Sequence, residues 1–209
     1  MPWALDAVLK ELDADQILFG GDFIGGPCPR ETVERIRSLD ATCIRGNAER
    51  EPSEWDLEKL SPEDLDWVRS LPVTATLDGV LYCHATPTDD MPMTTAITPD
   101  AEIADLFAGC AGTVVIGHTH HQFDRRVGDL RLVNAGSVGM PYEGHVAAYW
   151  ALIDGSEPQF RHTELDLDVL AEGILSSGFP YGEAFVDENV RVAVDRDEAI
   201  NHFESRRHL

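Results

Sequence analysis

VVIGHTHHQF, residues 114–123, runs three β-branched residues into three histidines spread over four positions. A packed core has little use for imidazoles, and a solvated loop has no need of them. In an extended segment, residues two apart face the same side. His118 and His120 are therefore expected to reach one cluster, with His121 pointing away. Gly117 lets the backbone approach closely. The stretch reads as a buried strand of an α/β fold, carrying imidazoles to the carboxyl rim where such sheets hold ligands.

Working outward, helix and strand signals alternate. WALDAVLKEL (3–12) puts Leu5, Val8, Leu9 and Leu12 on one helical face. QILFGGD (16–22) reads as a buried strand ending in a glycine turn. PRETVERIRSL (29–39) is a second helix and ATCIRGN (41–47) a second strand. SPEDLDWVRSL (61–71) opens with a serine cap and a proline in the first turn. VTATLDGVLYCHA (73–85) is a hairpin turning at Asp78-Gly79. TPDAEIADLFAG (98–109) is a helix. Hairpins follow over 121–139 and 145–165, and helices beyond Asp166. SSGFPYGEAF (176–185) reads as a surface loop. The whole forms one domain, a βαβ front half followed by strand-rich sequence.

Four other strands also end in compact polar residues: Asp22, Asn47, His84 and Asn134. Carboxylate, amide and imidazole make a mixed O/N donor set suited to Mn²⁺, Fe²⁺ or Zn²⁺. Any one of these segments is an ordinary turn; five in one chain point to a site.

Composition narrows the options. The chain has 209 residues, 43% of them hydrophobic, and a formal net charge of −22. Such a surface repels duplex nucleic acid and anionic membranes. No apolar run is long enough to cross a bilayer, and the N-terminus lacks the pattern of a signal peptide. Cys28, Cys43, Cys83 and Cys110 form no CxxC pair and read as free thiols in a reducing cytoplasm. An acidic protein that handles phosphate needs a local positive device, and metal ions would serve.

GGD at 20–22, GNAE at 46–49, CHATP at 83–87, GHTH at 117–120 and NAGSVG at 134–139 stand in the order of a known pattern. The chain resembles the calcineurin-like metallophosphoesterases over roughly residues 3–165, especially the small bacterial and archaeal phosphodiesterase branch. The resemblance implies a four-layer α-β-β-α sandwich. It implies that Asp22 bridges two divalent metals. Asn47, His84 and His118 would complete one site, and His120 would serve the other. Mn²⁺ is the expected ion, with Fe, Zn or Ni as alternatives. Asp22, Asn47 and His84 would carry catalysis, and Asn47 and His121 would contact substrate.

Two departures bear on that expectation. The family's D-x-H motif, at the end of its first strand, has no counterpart upstream of Asp22. The expected fold therefore lacks that strand, and the second metal site keeps only Asp22 and His120. Ala48 stands where many relatives have a histidine proposed to protonate the leaving group. Losing a general acid costs about 10²–10⁴-fold, so esters with good leaving groups are favoured. Glu49 is expected to do no more than form an ion pair, with Arg50 as its partner.

Secondary candidates carry less. Arg45 and Arg50 could bind phosphate but read better as surface ion pairs. Asp89 and Asp90 read as solvated loop acids, and Asn134 and Ser137 as builders of a tight turn. His145 is given a modest place near the site. His162, His202 and His208 read as surface residues. The expected activity is hydrolysis of a small phosphodiester by metal-activated water. The alternative is a catalytically impaired binding or scaffold protein with one metal or none. Homo-oligomer formation is left open. A metallo-β-lactamase-type hydrolase is disfavoured, because its H-x-H-x-D-H would need Asp where Gln122 stands.

Overall fold

The computed structural model describes residues 1–155 and 157–207; His208 lies outside them. Strands β3 (Thr74–Leu77), β4 (Val80–Cys83), β5 (Gly112–Ile116), β6 (Phe123–Val127) and β7 (Leu130–Asn134) form one sheet in the order β3-β4-β5-β7-β6. Its three central strands are parallel and its two edges antiparallel. Parallel strands end at the same rim, which is why His84, His118 and Asn134, at or just beyond three strand ends, gather on one side.

Local sequence explains these elements. Asp78 and Gly79 both take positive φ, 50° and 80°, the pairing a two-residue I′ turn requires. Helix α5 (Pro62–Ser70) is capped by the Ser61 hydroxyl, which accepts from the Asp64 amide at 3.1 Å. Two further short helices, α3 (Asn47–Arg50) and α4 (Glu54–Lys59), escape periodicity because each is too short to show one. Helix α8 (Gly182–Asn189) likewise takes the second half of the expected 176–185 loop. There Val186 packs on Leu170 and Ile174 of α7 (Leu167–Ser176), which secures the turn.

One face of the large sheet packs Val114, Ile116 and Leu132 against Ile103 and Phe107 of the α6 region (helix Asp100–Leu106). Its other face sets Val80, Val115 and Val133 against Ile153 and Phe160 of the hairpin β8 (Ala147–Asp154) and β9 (Glu157–Glu164). Outside that hairpin lies α1 (Pro2–Glu11), with Ala4 and Val8 on Ala148. The expected α-β-β-α layering is present.

The second β layer is divided. β1 (Ile17–Phe19) pairs in parallel with β2 (Ala41–Cys43), and β8 pairs with β9, but among the described residues no ladder joins the two pairs. A cavity of about 780 Å³ is lined by both β1 and β8, by Leu5, Val8 and Leu9 of α1, and by Val115 of β5. It explains one correction. Residues 17–19 were expected to be buried, yet all three are half-exposed, because one side of β1 opens on this space.

Candidate metal centre

Asp22, His84 and His118 each present one ligand atom, and the three atoms lie within 4.8 Å of one another. Asp22 Oδ2 is 3.1 Å from His84 Nε2, which is 3.1 Å from His118 Nδ1. The far nitrogens are pinned. His84 Nδ1 faces the Gly20 carbonyl at 2.8 Å, and His118 Nε2 faces the Met91 carbonyl at 3.1 Å. A carbonyl has no proton to give, so those nitrogens carry the N–H. Both near nitrogens then offer lone pairs toward a carboxylate. Three acceptors aimed at one another repel unless a cation or a retained proton lies among them. This outer-shell fixing of imidazole ligands is characteristic of metal sites.

Asn47, on the turn next to Asp22, is the candidate fourth donor. Its amide oxygen is buried without any hydrogen-bond partner, an arrangement costing about 1–3 kcal/mol unless something else satisfies it. Its neighbour Ala48 donates its amide to Asp22 Oδ1 at 2.8 Å, which sets this turn against the cluster. One carboxylate, two imidazoles and one amide oxygen fit a divalent first-row cation.

Electrostatics follow the same geometry. Burial raises the Asp22 carboxyl, but its bond to His84 and the Ala48 amide outweigh that and hold it below the usual range. Burial lowers His84, and Asp22 more than restores it, leaving it raised. His118 is lowered, by burial first and then by His84.

The expected extended alternation is not what the backbone does. His118 and His120 both sit in the left-handed region, at φ 61° and 56°, as does Asp22 at 57°. Among described non-glycine residues only Asp78 joins them. Each such residue costs on the order of 1 kcal/mol or more, and such strain gathers at functional sites. His118 joins the three-ligand group and His120 does not, although His120 stays close enough to feel the charges of Asp22, His118 and His84. His120 lines the same cavity, donates Nδ1–H to the Met140 carbonyl at 2.8 Å, and stacks on Tyr142. Burial pushes its pKa down to about 4.

Glu49 is the residue sequence reasoning undervalued. It makes no pair with Arg50, which binds Asp90 and Glu51 instead. It is fully buried, and its carboxylate accepts four backbone N–H groups. Those of Asp22 and Gly46 reach Oε2 at 2.7 and 2.8 Å; those of Phe23 and Ile24 reach Oε1 at 2.9 and 3.2 Å. One side chain thus ties the GGD loop to the GN turn. Burial, then the charge of Asp22, pushes its pKa up to about 7, while the amides pull it down. The available signal was its place three residues after Gly46, in the first turn of α3.

Other expectations are corrected. His121, expected to contact substrate, is 0% exposed and packed on Phe123. Its Nδ1–H donates to the Thr119 carbonyl at 2.8 Å, and Nε2 accepts from the Ala96 amide at 3.3 Å. Burial pushes it down to about 4. A folded-state value below the unfolded 6.5 gives stability that is present above pH 6.5 and lost as pH falls toward 4. The loss is on the order of 3 kcal/mol. Urea titrations of His121→Asn at several pH values should show a shallower dependence across that window; an unchanged slope refutes the assignment. His145 is removed from the site, 54% exposed beside Tyr149 and Glu164. His162 and His202 are on the surface. Asp90 is no solvated acid, with its carboxylate 10% exposed on Arg50. Asn134 donates to the Gly117 carbonyl and the Thr119 hydroxyl and accepts from the Gly136 amide, shaping the turn beneath the cluster. The cysteines are free.

Comparison with known proteins places this geometry. A family model described as the calcineurin-like phosphoesterase superfamily domain matches residues 2–156. An uncharacterized protein of Methanocaldococcus jannaschii is 25% identical, over 79% of this chain and 83% of its own. A metallophosphoesterase crystal structure from Sphaerobacter thermophilus superposes with a TM-score of 0.72 at 25% identity, covering 88% of this chain and 92% of that one. A hypothetical protein from Pyrococcus horikoshii shares the fold, with a TM-score of 0.75 at 18% identity and the same coverage.

Proposed function

This chain belongs to the calcineurin-like phosphoesterase superfamily, and from that premise we propose that it is a divalent-metal-dependent phosphodiesterase acting on small substrates. The observation that carries the reading is the convergence of three lone-pair donors, Asp22 Oδ2, His84 Nε2 and His118 Nδ1; the buried, partnerless amide oxygen of Asn47 sits on the turn whose Ala48 amide binds Asp22. We take Mn²⁺ as the ion, as the family resemblance implies; the imidazoles suit Fe²⁺, Zn²⁺ and Ni²⁺ as alternatives.

A divalent cation held by these residues supplies Lewis acidity and lowers the pKa of water, the chemistry a phosphoester needs. Backbone groups set the ligands in place. Gly20 and Met91 carbonyls hold the imidazoles in the tautomer that leaves the inner nitrogens bare. Ala48 fixes Asp22 Oδ1 and so turns Oδ2 to the cluster. No imidazole stands at position 48 to protonate a departing alkoxide, which favours esters whose leaving group departs as an anion. The acidic surface favours small phosphate esters in a cytoplasmic setting over duplex nucleic acid. No helix among the described residues is long and apolar enough to cross a membrane.

One observation favours a second reading, a single-metal binding protein without turnover. Among the described residues the Asp22–His84–His118 group is the sole cluster of three such ligands, and His120 stands outside it. Metal content after dialysis, with hydrolysis of bis(p-nitrophenyl) phosphate in Mn²⁺, separates the two. Turnover abolished by chelator and restored by Mn²⁺ supports the phosphodiesterase; bound metal without turnover supports the second reading. His118→Ala is expected to reduce tightly bound Mn²⁺ to background by elemental analysis. Wild-type metal content in that variant would refute the site.

A further inference from the structure

A second cavity, of about 360 Å³, adjoins the metal cluster through His84, and its lining includes Arg45, Arg50, Val73, Asp89, Asp90 and Met91. The two arginines differ. Arg50 is already neutralised: its Nε spans both Asp90 oxygens at 2.9 and 3.0 Å, and its Nη1 meets Glu51. Arg45 has no acidic partner among the described residues, and its Nε is buried without an acceptor. In a chain of net charge −22, an arginine that finds no carboxylate leaves a strong donor unspent. An orphaned guanidinium donor is costly in a protein interior, and its planar fork matches phosphate oxygens.

We propose that Arg45 is the substrate's phosphate-gripping residue, holding non-bridging phosphoryl oxygens in this cavity beside the metal cluster. The assignment deepens the phosphoesterase reading and rests on it for the identity of the ligand. Val73 and Met91, 42% and 47% exposed on the cavity lining, give the ester's organic group an apolar bank. Asp90 has a supporting part: by occupying Arg50 it keeps that side chain from competing for the anion. Asp89 opposes binding by its charge, although its Oδ1 is engaged by the Met91 amide at 3.0 Å.

The test is binding of inorganic phosphate to Mn²⁺-loaded protein by calorimetry, which needs no turnover. Arg45→Met should weaken phosphate affinity about tenfold or more with metal stoichiometry unchanged. Arg45→Lys, which keeps the charge but not the fork, should lose less. Asp89→Asn should bind phosphate more tightly than wild type. If Arg45→Met misfolds, the lysine and Asp89 variants still decide. Phosphate affinity within twofold of wild type in the foldable Arg45 variants overturns the proposal. So does an Asp89→Asn protein that binds no better. Wild type that binds phosphate through Arg45 yet hydrolyses no diester would sink the enzymatic reading and leave this site standing; turnover that ignores Arg45 would do the reverse.

Discussion

Gly46→Ala is expected to weaken metal binding about 10–100-fold, though position 46 ligates nothing itself. A Cβ built there stands 2.3 Å from Asp22 Oδ1, 2.9 Å from Asp22 Cγ and 2.7 Å from the Asp22 backbone nitrogen. Gly46 has an ordinary φ of −97°, so space rather than conformation decides. The obstacle includes main chain, and Asp22 cannot swing away without surrendering the Ala48 amide that fixes Oδ1. Shifting the ligand's outer support typically costs 10–100-fold in metal affinity, and overpacking adds about 1–3 kcal/mol of destabilisation. Titration with Mn²⁺ should show affinity lower by roughly those factors, with a reduced melting temperature. A variant that binds Mn²⁺ like wild type would show that the Gly46–Asp22 contact does not set the ligand's position.

Glu49→Ala should be the most destabilising single change near the site. The carboxylate is 0% exposed and accepts from four amides in the two loops that leave the paired strands β1 and β2. Removing it leaves these N–H groups without their acceptor in a space closed to bulk water. Each buried donor so orphaned costs on the order of 1–3 kcal/mol. Partial relaxation lets water satisfy some of them, so about 3–5 kcal/mol is expected in all. Glu49→Gln should fall between, because one acceptor oxygen becomes an NH₂ facing N–H groups. Urea midpoints measure both. Because Glu49 also fixes the Asp22 amide, metal affinity should fall with stability in both variants. An alanine variant within 1 kcal/mol of wild type would mean that the four bonds are not what joins the loops.

The elements legible in the sequence were those with long-enough periods or unambiguous turns: α1, the Asp78-Gly79 hairpin, and the strand before GHTH. Short helices such as α3 and α4 carry too few residues to show a face. Asp22, His84 and His118 could be named in advance because each follows a strand whose end α/β topology directs to a rim. His121 could not be placed. Its spacing from His118 says nothing of the left-handed turn that buries it against Phe123 and the Ala96 amide. Arg45 and Arg50 look alike in sequence. Only the fold brings Asp90, forty residues away, to one of them and leaves the other bare.

By itself, then, the sequence determined donor chemistry and order: carboxylate, amide and imidazoles at successive strand ends, in an acidic α/β chain. Those follow from residue type and short-range periodicity, which are local. The tertiary structure alone decided which donors meet and which stay apart, how β1 and β8 come to line a cavity with no ladder between their pairs, and why Glu49 matters. Such outcomes depend on packing between segments far apart in the chain, and on backbone angles at Asp22, His118 and His120 that no side-chain pattern encodes.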